Sequence, residues 1–461
     1  MKTFLLTVSL FIASFVAPCV AQSDAEHLKN IDKFLQQEYP KNEPGAVVLI
    51  VKEGKILLKK AYGLASLKPK RKLKTQMVFP IASMSKQFVS AAVLQLVESG
   101  KISLNDPIQK YVPEYPIKKH PITIHHLLSQ TSGIPEYFDV DENEYYLLAQ
   151  EHTPQQLIAY YKDAPLEFEP GSKWSYSNSN YPLLGIAVEK VTGMSLKMYL
   201  EQFIFQPLQM TSSGLWYRKE IPQKRIPTGY DIQQGQLKKG PEMVGSALYA
   251  PGGIVSSVDD LYLWNRALRN QKGLSAFVVE QLTSEKKTNA QEGTNYGYGF
   301  FLRNLQGSET IEHGGNLFSF SSGGLYLPKE DIFICVLANT KFDRIQELSN
   351  YMASVLMNRP LKILSKGTIS KELLQDYVGV YKLQSKTLKR TFEIRVYDNV
   401  LILTDPKAPQ NDAKLTPSKK DWFLLKAAGA SFQFVRNSEG EVVGYEVQQG
   451  SQTFQFQKVK R

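Results

Sequence analysis

Cysteine is almost absent from this sequence: two residues in 461, Cys19 and Cys335. Cys19 lies in the N-terminal leader, so no internal disulfide is available and the fold must be held by its core. Cys335 sits in the apolar run DIFICVLAN, where nothing polar would lower a thiol pKa, and reads as core rather than as a nucleophile. Histidine is also scarce. None of the six histidines forms a pair with metal-ligand spacing, which argues against a metal site, and no cofactor motif is present. Internal repeats and low-complexity tracts are missing, as is any nucleic-acid-binding motif, so the formal charge of +11 reads as a dispersed basic surface. Part of that excess lies in residues 366–461, which hold 16 basic and 10 acidic side chains.

One long apolar run exists. MKTFLLTVSLFIASFVAPCVA places Lys2 before Phe4–Ala17, with small Cys19 and Ala21 at the −3 and −1 positions of a cleavage site. This predicts a signal peptide over residues 1–21, too short to span a bilayer comfortably, and a secreted or periplasmic mature protein without a membrane span. The remainder has globular composition, with 43% hydrophobic and 21% charged residues.

Periodicity predicts a helix over Ala25–Glu38, then strands at Gly45–Val51 and Lys55–Ala65 joined by a tight turn at Glu53-Gly54. A mainly helical stretch follows from Ser83 to Arg269. Strands return at Thr310–Asn316, Ser319–Leu327 and Asp331–Asn339, and a helix over Arg344–Met357 closes the unit. Strands at both ends of a helical region predict an α/β fold: one antiparallel sheet flanked by helices, with an inserted all-helical region, over residues 22–364. Beyond Leu364, the alternation in Phe392–Tyr397 and Phe432–Val435 predicts a small all-β domain over 365–461. Turn signals there fall at Asp398-Asn399, Asn437–Gly440 and Gln449–Ser451.

Three short motifs carry chemistry. Ser83-Met84-Ser85-Lys86 precedes QFVSAAVLQLVESG, the profile of a buried helix that Gly100 stops. With Ser83 opening that helix, Lys86 lies one turn on, where a partly desolvated amine can help activate the hydroxyl. A second S-x-x-K, Ser284-Glu285-Lys286-Lys287, lies in a polar stretch and reads as a solvated surface. Tyr176-Ser177-Asn178 offers a phenol and an amide on one side of an extended loop. A phenol beside cationic Lys86 is expected to have a lowered pKa, and Asn178 to orient a substrate amide. Tyr397-Asp398-Asn399 shows that Y-x-N also arises without this context. His313-Gly314-Gly315 is the only H-x-G in the chain. On a strand, His313 and Gly315 share a face, Gly315 leaves room for a substrate backbone, and the Asn316 N–H can face an oxyanion.

In this order, with Tyr176 93 residues and His313 230 residues after Ser83, the motifs resemble those of the serine penicillin-recognising family. That family comprises class C β-lactamases, DD-peptidases and related esterases and D-amino-acid peptidases. The segments Ile122–Tyr137, Glu169–Gly185, Ala250–Leu268 and Glu312–Gly323 extend the likeness over roughly residues 40 to 340. The resemblance implies a β-lactamase-like fold and an acyl-enzyme on Ser83. Lys86 would assist deprotonation, Tyr176 would relay a proton to the leaving group, and Asn178, His313 and Gly315 would meet the substrate. The N–H groups of Ser83 and Asn316 would form the oxyanion hole. Class C β-lactamases carry Lys-Thr-Gly where this chain has His313-Gly314-Gly315, and a histidine there is closer to certain DD-peptidases, D-aminopeptidases and esterases. The implied partner is a small peptide-like or acyl substrate, with β-lactam turnover or a penicillin-binding sensor as alternatives and the oligomeric state left open. The segment Asp376–Tyr381 resembles the start of a lipocalin-like β domain found in such relatives.

Overall fold

The computed structural model describes residues 24–459 except 138–149, 216–224, 234–235, 242–244, 271, 318, 341–343, 362–370, 385–389, 398–399, 407–411, 426–429 and 450–451. The leader over residues 1–21, the boundary near residue 364 and the Asp398-Asn399 turn therefore lie outside the described residues, as do two of the three residues of the Gln449–Ser451 turn.

Helix α1 (Asp24–Glu38) precedes strands β1 (Ala46–Lys52) and β2 (Lys55–Tyr62). Their connection uses Glu53 and Gly54 at φ 51° and 74°, the left-handed pair that a two-residue hairpin turn requires. The strand expected to continue to Ala65 breaks at Gly63, φ 76°. Helices α2 (Ser85–Glu98), α3 (Ile124–Leu128), α4 (Asn180–Thr192), α5 (Val258–Asn270) and α6 (Ala276–Thr283) follow. Short strands interrupt this region, Ile254–Ser256 among them, so it is less purely helical than its sequence predicts. The chain then returns through β3 (Phe301–Leu305), β4 (Ser308–Leu317), β5 (Phe320–Leu327) and β6 (Ile332–Ala338) to α7 (Ile345–Leu356).

These six strands form one antiparallel sheet in the order β3-β4-β5-β6-β1-β2. β1 and β6 meet at its centre, with Leu49 opposite Cys335. Both strands are covered on both faces, which explains their unbroken apolar sequences. Val47, Leu49, Val51, Cys335 and Leu337 join the core beneath the helical region, while Ala46, Val48, Ile50, Ile334 and Val336 pack under α1 and α7. A buried ion pair, Arg344 to Glu38 at 3.0 Å, ties these last two helices together. Edge strand β3 was not foreseen. Its sequence FLRNL is short and only half-buried, so it lacks both an apolar run and a clear alternation.

The C-terminal strands β7 (Gly379–Leu383), β8 (Thr391–Tyr397), β9 (Val400–Thr404), β10 (Ala413–Lys419), β11 (Trp422–Leu425), β12 (Ala430–Arg436), β13 (Val442–Gln449) and β14 (Gln452–Lys458) close into a barrel. Each pairs with its sequence neighbour, and β7 with β14 completes the ring at Tyr381 and Lys458. Closure leaves no edge strand to template association. Its interior is filled by rings, with Tyr377, Phe423 and Phe434 in mutual contact and Tyr445 against Phe434. Among the described residues, no helix is long and apolar enough to cross a membrane.

Candidate active site

Ser83 sits in a 3₁₀ turn, Ala82–Met84, that leads directly into α2. The turn is strained, since Ala82 holds φ 49° without being glycine. Neighbours fix it in place. The Ile81 carbonyl accepts from Ser322 Oγ of β5 at 2.7 Å, the Ile81 N–H donates to Ile254 O at 2.9 Å, and the Ile254 N–H donates to Ser85 Oγ at 3.0 Å. Helix α2 is buried on every face from Ser85 to Leu94, as the scarcity of charge in its sequence predicts.

Gly315 explains how the turn reaches the sheet. A Cβ there would strike the Ile81 carbonyl oxygen and lie 2.8 Å from Ala82 Cβ. The space it leaves is occupied by the turn that carries Ser83. This corrects the expectation that the glycine makes room for a substrate backbone. Asn316, the next residue, is exposed at the rim of β4, in register with Ser321.

Lys86 has no exposed surface. Its Nζ lies 2.7 Å from Asn178 Oδ1, 2.9 Å from Pro251 O and 3.1 Å from Ser83 Oγ. Burial lowers its pKa to about 7, and the Glu136 carboxylate works in the opposite direction. Two of its three partners are carbonyl oxygens that can only accept. The neutral amine therefore keeps both N–H donors for those carbonyls and turns its lone pair toward the Ser83 hydroxyl.

Asn178 is fixed in its amide orientation. Its Nδ2 and its backbone N–H both donate to Glu136 Oε2, at 2.9 and 2.7 Å, which leaves Oδ1 for Lys86. The side chain expected to orient a substrate amide is thus already engaged on both ends. Glu136 itself was missed, although the segment Ile122–Tyr137 that carries it had been singled out as family-like. A carboxylate has no spacing signature of its own in that stretch. The same segment scaffolds the Tyr176 loop: Gln130 Oε1 accepts from Ser177 N–H at 3.0 Å and from Asn180 Nδ2 at 2.5 Å.

The Tyr176 ring stands 4.9 Å from Lys86 Nζ. Its hydroxyl is buried without a formed hydrogen bond, close enough to Ser83 for the serine hydroxyl to offset part of its pKa shift. That shift is upward, well above the ordinary phenol range, because burial penalises the phenolate more than nearby groups favour it. The expectation of a lowered pKa is corrected on this ground: a buried lysine near neutrality is too weak a source of charge to outweigh desolvation.

His313 is buried among Tyr176, Tyr296 and Phe301, with centroids 5.1 to 6.2 Å away. Its Nδ1 lies 2.6 Å from Gly314 O, which makes Nδ1 the protonated nitrogen, and Tyr296 Oη lies 3.4 Å from Nε2. Burial, then the charge of Lys86, pushes its pKa down to about 3, so the ring is neutral. Tyr296, Phe301 and Trp174 complete this aromatic wall and carried no motif in the sequence.

The second S-x-x-K is only partly a solvated surface. Lys287 is exposed, but Lys286 is buried over the Tyr298 ring at 4.2 Å, with Nζ 2.7 Å from Ser284 Oγ. Burial lowers its pKa to about 8.

Comparison with known proteins agrees with this architecture. The family profile described as Beta-lactamase matches residues 30–355. Penicillin-binding protein 4* of Bacillus subtilis (strain 168) is 27% identical over 438 residues, covering 90% of this chain and 94% of that protein. Protein flp of Staphylococcus aureus (strain N315) is 30% identical over 341 residues, 72% of this chain. The match spans about two thirds, 66%, of that relative's length. Among solved structures, the octameric penicillin-binding protein homologue from Pyrococcus abyssi superposes with a TM-score of 0.66 at 24% identity, covering 94% of this chain and 100% of that one. D-amino acid amidase from Ochrobactrum anthropi SV3 gives 0.63 at 20% identity, over 72% and 99%. These two likenesses carry the fold. The chain belongs to the beta-lactamase family of serine hydrolases.

Proposed function

We propose that this protein cleaves an amide or ester bond of a small peptide-like or acyl substrate through an acyl-enzyme on Ser83. The observation that carries the reading is the buried Lys86, whose amine is poised near neutrality with its lone pair free only toward Ser83 Oγ. In this reading Lys86 takes the Ser83 proton as Oγ adds to the substrate carbonyl. The oxyanion is met by the N–H groups of Ser83 and Asn316. Tyr176, held protonated by burial, passes its proton to the leaving group and regains one from the Lys86 ammonium. Water then attacks the acyl-enzyme by the same relay in reverse. Asn178 acts as a positioning residue that holds Lys86, with Glu136 behind it, and Gly315 seats the nucleophile turn. The leader over residues 1–21 would direct the protein out of the cytoplasm, with hydrolase and barrel domains over 22–364 and 365–461.

Substrate class follows from charge. His313 is neutral, and Arg303, the nearest arginine on β3, is held by Glu312 at 2.6 Å. The strand side of the site therefore offers little fixed positive charge to a β-lactam carboxylate. Steady-state assays with a short-chain ester, a D-amino-acid amide and a chromogenic cephalosporin test this. The better of the first two is expected to exceed the cephalosporin at least tenfold in kcat/KM, about 1.4 kcal/mol of transition-state binding. Faster cephalosporin turnover would overturn the assignment in favour of a β-lactamase. A single acylation burst without turnover would overturn it in favour of a sensor.

A further inference from the structure

A cavity of about 210 Å³ lies between α2, α5, α6 and the sheet, walled by Met84, Trp264, Val279, Phe300 and Phe333. Met84 and Gln87 line it, each one residue beyond Ser83 and Lys86. One residue is a rotation of about 100° on a helix, so the cavity opens on a different face of α2 from the catalytic groups. Gly324 of β5 keeps it open, since a Cβ there would come within 3.0 Å of Met84 Cε.

Two buried amides face this apolar space. Gln87, 2% exposed, accepts from Trp264 Nε1 at 2.8 Å through Oε1, so its carbonyl end is already engaged. Asn265, 3% exposed, lines the cavity one residue beyond Trp264 on α5. Both amides line the cavity and can hydrogen-bond a molecule that enters it. At the rim, Arg269 is neutralised by Asp331 at 2.5 Å, so no free charge invites an ion. An apolar cavity of about 150 Å³ already accommodates benzene, and this larger one has room for a substituted ring.

We propose that the cavity is a binding site, separate from the catalytic one, for a neutral monocyclic aromatic molecule bearing one hydroxyl or carbonyl oxygen. The ring lies against Trp264, Phe300 and Phe333, and the oxygen bonds to the Asn265 amide.

Isothermal titration of the full chain with p-cresol and with p-xylene, its near-isostere lacking oxygen, tests the proposal. p-Cresol is expected to bind one-to-one and at least about tenfold more tightly than p-xylene, the worth of one good hydrogen bond to a buried amide. Blocking Ser83 beforehand with a fluorophosphonate, its extent read by mass, should leave that affinity unchanged; failure of Ser83 to react is thereby seen separately from failure to bind. Asn265→Leu should erase the preference while keeping p-xylene binding, which itself reports an intact fold. Val279→Trp, which fills the space, should abolish both. Equal affinity for the two ligands, no p-cresol binding at millimolar concentration, loss of binding on Ser83 block, or a preference that survives Asn265→Leu would each overturn the proposal.

Discussion

A lysine with no contact with water holds its charge only at a cost, and Lys86 is placed so that either protonation state is satisfied. As an ammonium it donates to Ser83, Asn178 and Pro251; as an amine it donates to the two carbonyls and accepts from the serine. The reaction needs the amine. Labelling of Ser83 by a fluorophosphonate is therefore expected to rise with pH, tenfold per unit below the lysine pKa of about 7, and to level off above it. His313 does not shape this limb, because its pKa of about 3 keeps it neutral throughout. Lys86→Met keeps the length of the side chain and should lower labelling at least ~10²-fold while flattening the pH profile. A folded variant with wild-type rates would remove Lys86 from the proton path. Ser83, Lys86, Tyr176 and Asn178 were legible as candidates because motif spacing survives in sequence. Glu136, Pro251 O and Tyr296 were not, since a backbone carbonyl has no residue signature and contacts across 42 or 165 positions leave no local pattern.

Elements place these groups, and the contact between β4 and the Ser83 turn matters most. Gly315 admits Ile81 and Ala82 against the strand, and Ser322 clamps the Ile81 carbonyl from β5. Gly315→Ala inserts one methyl group into that contact. Overpacking of this kind costs about 1–3 kcal/mol, and because the turn is the part able to yield, the loss should appear at Ser83. Labelling is expected to fall at least about tenfold while the circular dichroism spectrum stays native. Wild-type labelling by Gly315→Ala would show that the turn does not depend on this approach. The central strands were readable because burial on both faces demands apolar sequence throughout. Edge strand β3 was not, and neither was the burial of Lys286, which is hidden in a polar stretch because one aromatic ring, Tyr298, lies under it only in three dimensions.

At the scale of the whole molecule, the hydrolase fold and the barrel have separate cores, one on each side of the sheet for the former and a ring-filled interior for the latter. The candidate catalytic groups, Ser83 through Asn316, all precede the barrel in the chain. A protein of residues 22–364 is therefore expected to fold and to keep Ser83 labelling within about threefold of the full chain, because barrel closure satisfies its own strand edges without help from the sheet. Loss of labelling by a truncated protein with native circular dichroism would assign the barrel a direct part in the site. The change of texture beyond Leu364 made this module legible, through alternating strands such as Phe392–Tyr397. Its closure was not readable, since pairing of the first strand with the last spans more than 70 residues.

The central claim is that Ser83 is the nucleophile, and peptide mass mapping after fluorophosphonate treatment of the protein tests it most directly. The adduct is expected on the peptide containing Ser83, and Ser83→Ala should take up no label. An adduct on Ser284, whose hydroxyl also meets a buried lysine, or undiminished labelling of Ser83→Ala, would contradict the account.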